Sequence, residues 1–220
     1  MSMKLKITIS VIVVIIIIFA FTFYILSIPK TITAKEGYDY AQSLANDWSS
    51  DSKLAVIYSH EGEITNLPEP SMDASNDPNV GDGKAVYWRY VFSSELKNMT
   101  YEITISAEKK MIRAEESEGS LSHYYSFYGL DHDFYISNWN IDSDMALKKA
   151  LENDKDFSTF LNTNSQVTIV IILRDLKEFV VTYPQSELWD IEYGYKEGYD
   201  VESVFVDAQD GTVLHWSDLR

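Results

Sequence analysis

An uninterrupted apolar run near the N-terminus constrains this chain more than any other feature. Residues 7–28 contain no charged side chain and read ITISVIVVIIIIFAFTFYILSI. As a helix, these 22 residues would extend about 33 Å, close to the roughly 30 Å of bilayer hydrocarbon. Lys4 and Lys6 precede the run, which favours a cytoplasmic N-terminus. The sequence therefore predicts a signal-anchor helix, with the rest of the chain outside the cell.

A cleaved signal peptide is the alternative to an anchor. Its apolar region is ordinarily about 7–15 residues long and is followed by a small-x-small site. The run is longer here, and Ile32-Thr33-Ala34 is a weak match to such a site. The chain has no cysteine, so an anchor on a lipid-modified cysteine is excluded. We expect a single-pass protein of the cell membrane, and the sequence leaves cleavage open.

The charge of the chain limits the classes of molecule that it is expected to bind. The 220 residues include 18 basic and 34 acidic side chains, a formal net charge of −16. When Lys4 and Lys6, which precede the apolar run, are left out, 16 basic and 34 acidic side chains remain, a charge of 16 − 34 = −18. Such a charge repels nucleic-acid phosphates and anionic lipid headgroups. We therefore expect no nucleic-acid partner. The lack of cysteine also excludes disulfides, Cys-ligated zinc and a thiol nucleophile.

Two helices are predicted beyond the apolar run. Thr33 followed by Glu36 has the spacing of a capping box, and apolar residues then recur every three or four positions. This apolar face comprises Ala41, Leu44, Ala45 and Trp48. A second helix is predicted after Asp142 or Ser143, either of which can serve as its N-cap. Asp154 is the one polar exception on the apolar face of that helix.

Short stretches rich in β-branched and aromatic residues predict eight strands. They are residues 54–58, 85–92, 101–105, 166–173, 179–182, 188–193, 201–206 and 212–214. Asp210-Gly211 is a two-residue hairpin signal before the last of them. Aromatic residues of one parity are expected in the core, because they pack against a helix. These residues are Trp88, Tyr90, Phe92, Trp189 and Tyr193.

The order of the predicted elements indicates an internal repeat. Each half has a helix, a strand, a strand that contains a tryptophan, and another strand. At an offset of 189 − 88 = 101 residues, Trp88 aligns with Trp189. At the same offset, Ile103 and Ile105 align with Val204 and Val206. Identities are few, so the repeat rests on order, spacing and apolar parity.

The C-terminal half resembles the signature of the PepSY domain. The strand Trp189-Asp190-Ile191-Glu192-Tyr193 is followed by residues 204–214, which read VFVDAQDGTVL. The family typically shows a W-x-V-x-Y strand, then V-x-V-D-A-x-T-G-x-V across a hairpin. The resemblance extends from Asp142 to Trp216. It implies a helix packed against a curved antiparallel sheet.

The first half departs from this signature at the hairpin. Lys109-Lys110 occupy the positions of Asp210-Gly211, so the turn is expected to differ or to be absent. Together, the anchor and the resemblance imply an α+β protein with an N-terminal transmembrane helix and two PepSY-like units, each a helix on an antiparallel sheet. The expected divisions are 1–6 (cytoplasmic), 7–28 (transmembrane anchor), 33–112 (first unit), 113–141 (aromatic linker) and 142–220 (second unit).

The acidic and histidine-containing segments match no known catalytic or metal-binding motif. His60-Glu61-Gly62-Glu63 lacks the second histidine of a zinc helix. Asp131-His132-Asp133 are adjacent, so their side chains cannot all face one cation in regular structure. Residues 73–81 begin like a calcium loop, but Pro78 and Lys84 stand where glycine and a bidentate glutamate are needed. We predict no catalytic residue, no cofactor, no metal site and no enzyme activity.

Aromatic residues are concentrated in the linker between the halves. They are Tyr124, Tyr125, Tyr128, Phe134, Tyr135 and Trp139. Large amphipathic rings suit a protein interface, which makes these six candidate partner-binding residues. They are equally compatible with a buried strand between the repeats. Separately, Asn98-Met99-Thr100 is a sequon that makes Asn98 a candidate glycosylation site.

These features together predict a membrane-anchored, extracytoplasmic binding module that acts without catalysis. PepSY domains occur in propeptides of secreted metallopeptidases, so the resemblance implies that the module binds or modulates a peptidase, an envelope protein or a peptide. Such a partner would be held by strand addition or by the aromatic linker. The alternatives are a metal-dependent enzyme that uses the acidic loops and His132, and a structural accessory subunit of a membrane complex.

Overall fold

The computed structural model describes residues 13–23, 30–61, 81–118, 135–163, 167–176, 187–195, 201–215 and 218–219. The helices that follow the N-terminal segment are α1 (Ala34–Trp48), α2 (Ser143–Asn153) and α3 (Lys155–Thr163). The strands are β1 (Lys53–Glu61), β2 (Tyr87–Ser94), β3 (Met99–Ser106), β4 (Met111–Glu118), β5 (Val167–Asp175), β6 (Glu187–Tyr195), β7 (Val201–Asp207) and β8 (Val213–Leu214). One further predicted strand, residues 179–182, lies outside the described residues.

The predicted membrane anchor over residues 7–28 is wrong. Within that run the structure describes residues 13–23, which are helical and exposed. In the described ranges, no helix combines the length and apolar content needed to cross a membrane.

The predictions that depended on the anchor are wrong for the same reason. They are the transmembrane and signal-anchor assignments, the membrane as a partner, and the cell-membrane location with the C-terminal portion outside.

Helix α1 begins at the capping box that the sequence predicts. The Thr33 backbone N–H donates to Glu36 Oε2 at 2.8 Å, and the Glu36 N–H donates to Thr33 Oγ1 at 3.4 Å. Ala41 and Ala45 are fully buried, and their small side chains bring the helix close to the sheet. The predicted first helix is therefore confirmed.

The second predicted helix is two helices. Asp142 is the N-cap of α2, as predicted, but this helix ends at Asn153. The Asp154 carboxylate then accepts hydrogen bonds from the backbone N–H groups of Asp156 and Phe157, both at 2.9 Å. A carboxylate that accepts bonds in this way starts a new helix. The polar residue that interrupted the apolar face therefore serves as the cap of α3.

All eight strands form one continuous antiparallel sheet with the order β4-β3-β2-β1-β5-β6-β7-β8. The halves are joined where β1 pairs with β5, from Val56 opposite Arg174 to Glu61 opposite Ile169. The predicted fold, a transmembrane helix with two helix-on-sheet units, is therefore wrong. Val56 and Arg174 are 174 − 56 = 118 residues apart, and pairing at such a separation leaves no local sequence pattern.

The two halves of the sheet nevertheless have the same internal register. Trp88 pairs with Ile105 between β2 and β3, and Trp189 pairs with Val206 between β6 and β7. Both equivalences have the predicted offset, since 189 − 88 and 206 − 105 are each 101. The hairpins differ, as predicted: the Ser106 N–H bonds to the Lys110 carbonyl, one residue closer than in the second half.

The two equivalent tryptophans meet at the centre of the core. The rings of Trp88 and Trp189 pack edge to face with centroids 6.3 Å apart. Each indole Nε1 donates, at 2.8 Å, to the carbonyl of the residue just before a helix N-cap, Ile32 for Trp88 and Ile141 for Trp189. The predicted core aromatics are confirmed; Trp88, Tyr90, Phe92, Trp189 and Tyr193 are all buried.

The starts of α1 and α2 share their capping groups. The Asp142 carboxylate accepts from the N–H of Ser143 at 2.7 Å and from that of Lys35 at 3.0 Å. The buried Ser143 hydroxyl accepts from the Ala34 N–H at 3.0 Å and donates to the Gly83 carbonyl at 2.6 Å. Gly83 has a φ of +74°, and a Cβ there would lie 2.4 Å from the Asp144 Cα. Only glycine fits this junction of the two halves.

We predict that Gly83→Ala lowers the free energy of unfolding by at least about 2 kcal/mol, because the methyl group would displace the first turn of α2. Gly81→Ala is the matched control. Gly81 also has positive φ (+98°), but its nearest heavy atom would be Leu161 Cδ1 at an ordinary 3.6 Å. In urea unfolding, Gly81→Ala should therefore lose less free energy of unfolding than Gly83→Ala. Equal losses in the two variants would contradict the steric explanation.

Candidate functional site

Among the described strands, β4 forms one end of the sheet and is the longer of its two edges. It pairs with β3 over its full length, from Ile105 opposite Met111 to Met99 opposite Glu118. The Ile112 side chain is exposed, with 55% of its surface accessible. At the other end of the sheet, β8 has only two residues. An exposed edge strand presents backbone donors and acceptors to which another extended chain can pair.

The charges of β4 determine which chains such an edge favours. Its sequence MIRAEESE contains one basic residue, Arg113, and three acidic residues. Arg113 pairs with Glu115 on the same strand. Burial, followed by the nearby Glu116, raises the pKa of Tyr101 on β3. Charged side chains on an edge also discourage aggregation, so the acidic character alone is compatible with a protective role.

A buried polar network lies beside the edge, on the face of the sheet opposite the helices. The Tyr58 hydroxyl donates to Glu102 Oε2 at 2.9 Å and accepts from Arg89 Nη1 at 3.2 Å. Arg89 Nη1 also lies 3.7 Å from Glu102 Oε1. The Arg89 and Glu102 side chains are only 12% and 8% exposed. This network fixes β1, β2 and β3 to one another, and so holds the strand to which β4 pairs.

A small depression lies on the same face at the start of β4. Its volume is about 40 Å³, enough for about one water molecule. It is lined by Tyr87, Arg89, Thr104, Ile112 and Arg113. Burial raises the pKa of Tyr87 to about 12, so its hydroxyl stays protonated at neutral pH. The depression is too small for a metabolite, so the edge itself is the larger candidate surface.

The structure separates the two described members of the predicted aromatic set. Trp139 packs in the helix-side core, with its ring 5.7 Å from those of Tyr38 and Trp189. Tyr135 packs against the core on the opposite face, with Lys53 Nζ 4.5 Å from its ring. These two residues therefore share no surface.

The other four members, Tyr124, Tyr125, Tyr128 and Phe134, lie outside the described residues. Partner binding through the full set stays a prediction.

Asn98 lies in the exposed turn between β2 and β3. Its backbone has a φ of +50°, and its N–H bonds to the Glu95 carbonyl at 3.3 Å. Thr100, the third residue of the sequon, is buried at 2% exposure. Glycosylation at Asn98 stays a prediction.

Most of the segments considered for metal binding lie outside the described residues. These include His132 and most of the acidic loop 73–81. Across the described ranges, no group of three or more histidine and acidic side chains is placed to hold a metal ion.

Sequence reasoning missed β4, which it assigned partly to the linker 113–141. The strand lacks the alternation of apolar and polar residues on which strand prediction depends. A signal was present in the repeat: at the offset of 101, β8 (Val213–Leu214) corresponds to residues 112–113 of β4. Strict use of the offset would have placed a strand there.

Comparison with known proteins leaves the family open. No protein-family model matches the chain, and no curated protein matches it. A crystal structure of a protein described as a lipoprotein, from Clostridium difficile 630, is similar with a TM-score of 0.41 and 15% identity. The match covers 80% of this chain and 89% of that protein. A similarity of this size carries no argument about function, and the PepSY resemblance stays a prediction.

We predict that Arg89→Met lowers the free energy of unfolding by about 3 kcal/mol, because it leaves the Glu102 carboxylate buried without its cation. The double variant Arg89→Met/Glu102→Leu should lose less free energy of unfolding than Arg89→Met alone, because it removes the buried carboxylate as well. Lys53→Met is the control. It breaks an exposed 2.7 Å pair with Glu95 and should cost below about 1 kcal/mol. Urea unfolding of the four proteins, including wild type, provides the comparison. A double variant whose free energy of unfolding falls as much as that of Arg89→Met, or more, would rule out the proposed coupling.

Proposed function

We propose that the protein is a non-catalytic binding module that takes an extended, basic segment of a protein partner on the outer edge of β4. The observation that carries this proposal is the eight-residue β4 at the end of the sheet. In strand addition, backbone hydrogen bonds supply affinity, while side chains at alternate positions supply specificity. Each backbone hydrogen bond contributes a net stabilisation of roughly 0.5–1.5 kcal/mol. An edge of this length therefore suffices for a short peptide.

Charge favours a basic partner over a second copy of the chain. By sequence, β4 carries one positive and three negative side chains, and the whole chain carries −16. Two β4 strands side by side would bring six carboxylates against two guanidinium groups. A lysine- or arginine-rich segment would instead be attracted by the negative charge, and its side chains would form ion pairs with the carboxylates of β4.

The rigidity of the neighbouring strands also supports the proposal. The buried network of Tyr58, Arg89 and Glu102 fixes the strands behind the edge before a partner arrives. A preformed edge loses less conformational entropy on binding than a flexible one. A protein or peptide partner also agrees with the PepSY resemblance, which we retain as part of the proposal.

We predict that a proline in β4 weakens peptide binding without unfolding the sheet, provided that its position has an outward N–H. Backbone N–H groups of consecutive strand residues point to opposite edges. Of Ala114→Pro and Glu115→Pro, one therefore removes an outward donor and the other removes a bond to β3. The variant that keeps wild-type stability in urea should bind at least about tenfold more weakly, equivalent to the loss of roughly 1.4 kcal/mol.

The probe is a fluorescently labelled peptide of alternating lysine and valine, with binding followed by anisotropy. Glu115→Ala controls for the charge lost in Glu115→Pro. Two peptides N-methylated at every second residue, one for each register, keep the charge but block one edge of the peptide. One of them should fail to bind. If both methylated peptides and both proline variants bind like their parents, attraction is purely ionic and strand addition is wrong.

A further inference from the structure

A second buried charge cluster lies on the face opposite the helices, far from β4. Arg174 on β5 extends along β6 and contacts Asp190, and its Nη2 lies 3.8 Å from Glu192 Oε1. Asp190 and Glu192 are two residues apart on one strand, so both carboxylates point to the same face. The cluster therefore has two acidic groups and one guanidinium group. With all three ionised, it carries one net negative charge inside the protein.

Burial makes this uncompensated charge unfavourable. The side chains are 11% exposed for Arg174, 1% for Asp190 and 27% for Glu192. Among the described residues, Asp190 Oδ1 accepts no hydrogen bond. Two carboxylates that share a buried site do not both ionise readily, because each raises the cost of ionising the other.

The groups that face the pair from neighbouring strands lie on β5 and β7. Strand β5 contributes Arg174, and β7 contributes the Ser203 hydroxyl, which favours ionised Asp190 and lowers its pKa. Glu202, the neighbouring acid on β7, is bonded instead by the Tyr193 hydroxyl at 2.8 Å. In the described part of these strands, Arg174 is the one cation that balances the two acids.

A proton is the ligand that this geometry accommodates. The guanidinium group of Arg174 already occupies the position between the carboxylates that a larger cation would need. We propose that Asp190 and Glu192 bind one proton between them in the folded protein and release it as the pH rises through neutrality. The cluster then couples the stability of the fold to pH, which is a property beyond the binding function proposed above.

The pKa values agree in direction with this geometry. Burial raises the pKa of Asp190, against the opposing effects of Arg174 and Ser203. Burial, followed by the charge of Asp190, raises the pKa of Glu192 from 4.5 to about 7, and Arg174 opposes this shift. Because the two acids interact strongly, the proton belongs to the pair rather than to either residue.

The sign of the pH dependence follows from linkage. A folded-state pKa above that of the unfolded chain means that the folded state holds the proton to higher pH. From about pH 4.5 to 7 the unfolded chain therefore binds fewer protons, and stability falls as the pH rises. Above pH 7 this contribution becomes constant. Acidification through this range stabilises the fold.

The test compares Glu192→Gln with Glu152→Gln, an exposed acid on α2 that serves as the control. In urea unfolding at pH 5 and pH 8, the control and wild type should show an unfolding constant that rises with pH. Between pH 5 and pH 8, the unfolding constant of Glu192→Gln should rise by a factor on the order of 50 to 100 less than that of wild type. Equal pH dependence in Glu192→Gln and Glu152→Gln would overturn the proposal.

A second measurement does not depend on stability. Carbon-detected NMR of the side-chain carboxyl groups should show Glu192 titrating near neutral pH in the folded wild type. If neither Asp190 nor Glu192 shows a titration step near neutral pH, the proposal is overturned, whatever the stability data show.

Discussion

The antiparallel pairing of β1 with β5 is the contact on which the rest of the molecule depends. Six residue pairs join the first strand of one half to the first strand of the other. They turn two four-stranded arrangements into one sheet, and they bring Trp88 and Trp189 to the same central position. The shared caps at Asp142 and Ser143 follow from this approach, because α1 and α2 then begin side by side. Neither half alone would contain the complete set of these bonds.

Local chemistry made several elements predictable. The capping box at Thr33, the cap at Asp142 and the buried tryptophans follow from spacing and side-chain type, and the structure confirms them. The offset of 101 residues also matches the register of β2–β3 and β6–β7. Such features depend on neighbours within one helix or hairpin, and a sequence displays those directly.

The elements that were missed depend on distant or unpatterned interactions. Nothing local in β1 or β5 specifies that they pair, so the single sheet was not foreseen. Among the described strands, β4 pairs with β3 alone, so its sequence does not need the apolar alternation that identifies strands. Asp190 and Glu192 read as ordinary members of an acidic chain until the fold buries them beside Arg174. The membrane anchor predicted from the apolar run at residues 7–28 is wrong, since no helix among the described residues is long and apolar enough to cross a membrane.

The unequal ends of the sheet have a consequence for stoichiometry. A sheet with two long edges can add chains at both ends, and repeated addition leads to filaments. Here one end has the eight residues of β4, and the other has the two residues of β8. Under the proposed strand addition, the described part of the sheet offers one long edge, and β8 is too short to pair with a second extended chain. We therefore expect one partner per molecule.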